Sequence, residues 1–280
     1  MFLPTGRKAN GTTAKPAALP ERTTPWRQPR QVPSTASRKP ERAGKHATAG
    51  NGVKKIMECP RTDMSTETNP SLGGTMYYTT LNRIQECDPS DNDWKALLSH
   101  LDKTEADDTP LSLLTILEAT GLSNAVWALR AVDEPACERD ARLFAVRCVR
   151  QMQHLLHSEP TMKAAIEALD VAEWHGVGAA TDDDLGEVCA AAYKVWEDWN
   201  EADMAVDSAC AAACAASGSV ARERAEDAVC AAALAAAYDA YRALNEDSDK
   251  ALQDATWNAA NKAAHAIQEI DFRAIFCVDA

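Results

Sequence analysis

The cysteines of the C-terminal third are the residues whose type and spacing first suggest chemistry. The letters "CAAA" occur at Cys189, Cys210 and Cys230, at intervals of 21 and 20 residues. Cys210 and Cys214 lie one helical turn apart, and thiolates at such a spacing can bind zinc. A structural zinc site requires a second ligand pair, and no nearby histidine supplies one. We therefore expect these cysteines to pack as small apolar residues between helices, with a metal site as the less favoured alternative.

Two further groups have side chains that could hold a cation. His154 and His157 are three residues apart on a predicted helix, but no acidic ligand has a fixed position beside them. Asp182, Asp183 and Asp184 are consecutive, so in a first helical turn they point in three directions and stabilise the free amides there. We expect helix-end roles for both groups, and we predict no metal and no cofactor.

Motifs that carry enzymatic chemistry are absent from the sequence. There is no Gly-rich phosphate loop, no G-x-S-x-G, no H-E-x-x-H and no paired C-x-x-C. The sequence therefore predicts that the protein is not an enzyme.

A dense charged cluster occurs in "WALRAVDEPACERDARLFAVRCVR". Charged residues of both signs surround an apolar set that contains Trp127, Leu129, Phe144 and Val146. These charged residues are Arg130, Asp133, Glu138, Arg139, Asp140, Arg142 and Arg147. One interpretation is an internal ion-pair network that sets how two helices meet. The other is a recognition patch for a protein partner, because Trp and Arg are favoured at interfaces. Both interpretations stay open at this point.

The elements that must position these residues are predicted to be helices. A cap followed by proline precedes a helix at Asp88-Pro89 and at Thr109-Pro110, the latter helix stopping at Gly121. A short helix is expected around "NAVWALRAV", a long amphipathic one over "ACERDARLFAVRCVRQMQHLLH", and another from Pro160 to Gly176. Thr181 with Asp184 resembles a capping box. The Ala-rich remainder predicts three long helices, roughly 182 to 216, 219 to 244 and 249 to 272. The predicted class is all-α.

Charge and proline content divide the chain into three parts. Up to Thr75 there are thirteen Lys or Arg, five Asp or Glu and nine of the thirteen prolines, so residues 1–75 carry +8 and the remainder −21. We predict a disordered basic extension over 1–75, a helical domain over 76–180, and an Ala-rich helical bundle over 181–280 packed on that domain. Nucleic acid could bind only through the 1–75 extension. Met57, Met64 and Met76 are usable starts, and one hypothesis is that the native product begins at Met76.

The cellular compartment is predicted from the absence of secretory and membrane-spanning patterns in the sequence. The first residues have no secretory pattern, and the longest uncharged Ala-rich stretch, 208–221, is shorter than the about 20 residues that span a bilayer. Nine cysteines without a secretory signal indicate free thiols in a reducing compartment. We expect a cytoplasmic protein without a membrane partner.

Three stretches resemble a family of immunity proteins found in bacterial toxin systems and phage genomes: "DDTPLSLLTILEATGLSNAVWALRAV", "ERDARLFAVRCVRQMQHLL" and "ALDVAEWHGVGAATDDDL". The shared pattern Gly-Leu-x-x-Ala-x-Trp-x-Leu-Arg-Ala matches Gly121 to Ala131, and Arg-Leu-[Phe/Tyr]-Ala matches Arg142 to Ala145. The resemblance covers roughly Met76 to Ala260. It implies an all-helical, non-catalytic protein that binds and neutralises another protein. The basic extension and the cysteines of the Ala-rich part depart from the pattern.

Two functions from different classes are therefore predicted. The first is an immunity or inhibitor protein, phage-encoded inhibitors included, whose acidic body docks a basic protein such as a toxin or a nucleic-acid enzyme. The second is a structural protein that self-associates through Ala-rich hairpins. The residues predicted to contact a partner are Trp127, Arg130, Asp133, Arg139, Arg142, Asp182, Asp183 and Asp184.

Overall fold

Hydroxyl and carboxylate side chains cap the starts of six of the described helices. The computed structural model describes residues 75–199, 203–244 and 248–278. In it, six side chains each accept a hydrogen bond from a main-chain amide two or three residues later, which satisfies one of the free donors of a first helical turn. These six caps are Thr80, Ser90, Ser112, Thr181, Asp203 and Asp249.

The described residues confirm the all-α class. Their helices are α1 (Leu81–Glu86), α2 (Asp91–His100), α3 (Leu113–Thr120), α4 (Leu122–Trp127), α5 (Ala136–Arg150), α6 (Gln153–His157), α7 (Lys163–Gly176), α8 (Asp182–Asp198), α9 (Met204–Ala216), α10 (Ala221–Arg242) and α11 (Lys250–Phe276). Short 3₁₀ turns occupy Ala128–Ala131 and Pro160–Met162. None of the described helices is both long and apolar enough to cross a membrane.

Two predicted helix starts are wrong. Helix α2 begins after Ser90 and not at Asp88, whose φ of 60° lies in the left-handed region. Helix α3 begins after Ser112, because Leu111–Ser112 (β2) pairs antiparallel with Tyr78–Thr79 (β1) and so occupies the residues after Pro110. The predicted stop of α3 at Gly121 is confirmed, and its φ of 84° favours glycine.

The predicted long helices also divide further than expected. The helix expected over 182 to 216 ends at Asp198 and restarts at Met204, because the Asp203 carboxylate accepts from two amides of the new first turn. The amphipathic helix after Pro135 ends at Arg150, and α6 continues it after a break. The predicted extension over 1–75 lies outside the described residues, except for Thr75.

Alanine packing builds the C-terminal half. Helix α10 packs against α9, α11, α5 and α4. Most of α9 is buried on every side, and its alanines lie against alanines of α10. Such small side chains let two helices approach at the low end of the usual 8 to 10 Å. All described residues belong to one compact unit, Ser65–Ala280.

Aromatic side chains supply the bulk that alanine lacks. Phe144 of α5 meets Phe272 and Phe276 of α11 at ring-centroid distances of 5.6 Å each, with the rings nearly perpendicular. Tyr77 adds a fourth ring, 5.8 Å from Phe276. All four side chains are completely buried. The main chain of Tyr77 also donates to the Phe276 carbonyl, so the start of the described chain packs on its last helix.

Candidate functional site

Arg142 lies inside the protein. Its side chain is 2% exposed, and its guanidinium donates to the carbonyls of Gly218 at 2.6 Å and Ser219 at 3.2 Å. These carbonyls belong to the turn between α9 and α10. Burial lowers the pKa of Arg142, but a guanidinium stays charged at any physiological pH. Arg142 therefore fastens this turn to α5 and presents no surface to a partner.

Glu138 extends the same internal network by one helical turn. Its carboxylate accepts from the main-chain amide of Ala221 and, at 3.0 Å, from Nε of Arg222. A carboxylate at this position accepts hydrogen bonds from free amides of α10 and is stabilised by the positive end of the dipole of that helix. The Arg222 guanidinium also donates to the Val132 carbonyl. The ion-pair interpretation of the charged cluster thus accounts for Arg142 and Glu138.

Arg139 and Asp133 lie nearer the surface. Arg139 is half-exposed and pairs at 2.8 Å with the buried Asp140, which also accepts from the Tyr77 hydroxyl at 2.7 Å. The tyrosine proton stays in place, because burial and the Asp140 carboxylate raise the pKa of Tyr77. Asp133 forms an exposed ion pair with Arg83. Arg139 therefore compensates a buried charge, while Asp133 is open to solvent.

The three aspartates of α8 are exposed in its first turn. The predicted capping box is confirmed, with Thr181 and Asp184 bonded in both directions. Hydrogen bonds from Thr181 lower the pKa of Asp184. Asp182 accepts from His175 at 2.8 Å, and Asp183 is exposed in the first turn. Asp182 also borders an open groove along α8 that includes Cys189 and Tyr193.

Trp127 belongs to a different feature, a cleft of about 280 Å³ lined by residues of α2, α3, α4 and α10, which we call the tryptophan cleft. Arg130 lies at its edge, over the Trp127 ring. The guanidinium carbon of Arg130 lies 4.9 Å from the centre of the Trp127 ring. Its Nη2 is 3.3 Å from Oε2 of Glu226 on α10. Six residues that line the cleft carry its chemistry: Asp93, Trp94, Ile116, Asn124, Trp127 and Glu226.

The carboxylates of the tryptophan cleft are only partly compensated. Burial raises the pKa of Glu226; Arg130 acts against this shift, and the negative charges of Asp227 and Asp93 add to it. Asp93 accepts from Asn124 at 3.1 Å and from the Ser90 hydroxyl, both neutral donors. The cleft therefore combines two indoles with an excess of negative charge.

An acidic segment runs beside this cleft. Between Glu86 and Asp108 there are eight Asp or Glu and two Lys, and Asp91, Asp102 and Glu105 are among the exposed acids. Ser90, Asp93 and Trp94 of the cleft belong to this segment. Sequence reasoning did not select it, although the local charge and the tryptophan in the first turn of α2 were visible.

The cysteines are packing residues. Cys210 and Cys214 are buried among alanines of α9, and the eight described cysteines are all free thiols. Burial raises the pKa of Cys137 to about 12 and that of Cys230 to about 11, so both are protonated and poorly nucleophilic near neutral pH. Within the described residues, no three His, Cys, Asp or Glu side chains are grouped so that they could hold a metal ion.

The chain matches no family model, no curated protein and no solved structure. The similarity to immunity proteins noted in the sequence therefore stays a prediction.

Proposed function

We propose that this protein is a non-enzymatic binding protein of the immunity or inhibitor type that docks a basic protein partner through an acidic helical surface. The observation that supports this proposal most is the acidic segment from Glu86 to Asp108, whose exposed carboxylates adjoin the tryptophan cleft. Acidic surfaces accelerate encounter with cationic proteins, and buried tryptophans are frequent sources of binding energy. The docking surface thus includes Trp127, Arg130 and Asp93, and leaves out the buried Arg142.

The proposal is tested by capture of the partner on the full chain from a lysate of the source organism, followed by titration of the purified partner. We expect a basic protein whose affinity falls at least about tenfold as salt rises from about 50 mM to about 500 mM, because exposed charges are screened. The variant Glu86→Lys with Glu105→Lys should weaken binding, since both acids are exposed in the segment.

The matched control carries the same change in charge on α8, as Asp183→Lys with Glu187→Lys, where both side chains are also exposed. Loss of binding in the α8 control alone would place the docking surface at the three aspartates of α8. An affinity that is unchanged by salt and by both double variants would contradict an acidic docking surface altogether.

Self-association is a second candidate function, favoured by an apolar line on α11. Leu252, Ile267 and Ile270 are exposed by 49, 50 and 67%. Exposed apolar residues recur along this helix at helical spacing, at 252, 255, 259, 263, 266, 270 and 274. We call the line formed by these seven residues the α11 stripe. The alanines first expected to mediate assembly, among them Ala212 and Ala232, are instead buried inside the chain.

If the α11 stripe joins two copies, the full chain should sediment as a dimer at high concentration and Ile270→Glu should return it to a monomer. A charge buried in an apolar interface is strongly unfavourable, so we expect the dissociation constant to rise at least about a hundredfold. Lys262→Glu, on the same helix and also exposed, is the matched control. A wild-type monomer at millimolar concentration in sedimentation equilibrium would rule this candidate out.

A further inference from the structure

The tryptophan cleft already holds one guanidinium at its edge. Arg130 places its guanidinium carbon 4.9 Å from the Trp127 ring centre and pairs with Glu226 at 3.3 Å. Its Nε donates to the Trp127 carbonyl at 3.0 Å. The protein thus uses an indole and a carboxylate together to hold a planar cation, which is a favourable combination for arginine.

On the α2 side of the cleft, similar groups are present without a cation. Trp94 lines the cleft beside Asp93, and Asp93 is bonded to the neutral donors Ser90 and Asn124. Among the described residues, no Lys, Arg or His side chain forms an ion pair with Asp93. Asp93 and Glu226 therefore both line the cleft, but only Glu226 pairs with a guanidinium, and the charge of Asp93 is left for a ligand.

The size of the cleft is sufficient for a single side chain. Its volume of about 280 Å³ lies just below the about 300 to 1,000 Å³ of pockets that bind drug-sized molecules. A guanidinium suits this site better than an ammonium ion, because it is planar, stacks on aromatic faces and donates two parallel hydrogen bonds to a carboxylate.

We propose that the tryptophan cleft receives one arginine side chain of the basic protein partner, whose guanidinium stacks on Trp94 and pairs with Asp93. This inference rests on the proposed docking function and names the side chain that the docking surface selects. Burial is the largest cause of the raised pKa of Glu226, and the negative charges of Asp227 and Asp93 add to it. A second cation beside Asp93 would act against the part that comes from these charges.

The inference is tested with two peptides of equal length and charge, one alternating arginine with glycine and the other lysine with glycine, titrated into the full chain at about 150 mM salt. We expect the arginine peptide to bind about tenfold more tightly. It should also shift the indole N–H signals of Trp94 and Trp127 in nuclear magnetic resonance spectra, which Trp94→Phe and Trp127→Phe assign.

Asp93→Asn should remove most of the preference for arginine, and Trp94→Ala should do the same without changing any charge. Asp102→Asn is the matched control, because it removes one negative charge from the same acidic segment outside the cleft lining. Asparagine also tolerates the left-handed φ of 53° at this position. Amide spectra of each variant show whether α2 is still folded.

Equal binding of both peptides, with the two indole signals unmoved, would overturn the arginine site and leave the acidic docking surface standing. Binding of neither peptide at low salt would contradict the docking surface as well. If N-acetylarginine methylamide shifted the indole signals while the arginine peptide bound no better than the lysine peptide, the cleft would be a site for small free cations, and the partner's arginine would be excluded.

Discussion

Replacing Phe144 with alanine is expected to lower the free energy of unfolding by about 4 kcal/mol. The ring is completely buried and contacts both Phe272 and Phe276 edge-on at 5.6 Å. Truncation removes its transfer free energy and leaves a cavity, which together cost about 3 to 5 kcal/mol for phenylalanine. Chemical denaturation followed by circular dichroism measures the change.

Leu234→Ala is the control for this substitution. Leu234 is on α10 and 39% exposed, so its truncation should cost less than about 1 kcal/mol. If both variants lost the same stability, the three phenylalanines would not be the core that the structure shows. Phe144→Leu should recover part of the loss, since it restores most of the buried volume.

Arg142→Leu is expected to cost about 3 kcal/mol of stability, although leucine itself is a good core residue. The substitution leaves the buried carbonyl of Gly218 without its donor, while Ser219 is exposed to water. An unsatisfied buried group costs about 1 to 3 kcal/mol. Glu138 loses a neighbouring positive charge as well. Arg142→Lys should recover only part of this, because one ammonium lacks the fork that reaches two carbonyls.

Hydrogen exchange separates this local effect from general destabilisation. In Arg142→Leu, the amides of Ser217, Gly218 and Ser219 should exchange faster than those of α5. Arg273→Leu removes an arginine whose partners are exposed carboxylates, and should cost under about 1 kcal/mol. An Arg142→Leu protein as stable as wild type, with an unchanged turn, would show that these hydrogen bonds do not hold α10 in place.

Local signals in the sequence predicted helix starts and ends correctly where a single residue or a pair of nearby residues determines them. The capping box at Thr181 could be recognised because its partner is three residues away, and Gly121 because its backbone angle needs glycine. Asp203 was not recognised as a helix start, because it can cap α9 only if α8 has already ended before it. The pairing of β1 with β2, which displaces the start of α3, likewise requires two distant segments.

Contacts between residues that are distant along the chain limited the prediction of function more than the prediction of the fold. Arg142 and Gly218 are 76 residues apart. The sequence around Arg142 therefore does not show whether this arginine is buried and bonded to a turn or exposed for recognition of a partner. Trp127 and Arg130 are three residues apart and could be considered together, but Glu226, which pairs with Arg130 from 96 residues away, could not be placed beside them. The tryptophan cleft therefore emerges only once residues of α2, α3, α4 and α10 come together in the fold.

The contact between Tyr77 and the end of α11 has a consequence for how this protein is made. On the ribosome, Phe144 and Tyr77 emerge long before Phe272 and Phe276, the rings they pack against. Until those two residues have left the exit tunnel, the nascent helices have no aromatic partner and their apolar faces stay open to chaperones. We infer that the polypeptide reaches its native state after synthesis of α11 and not helix by helix during translation.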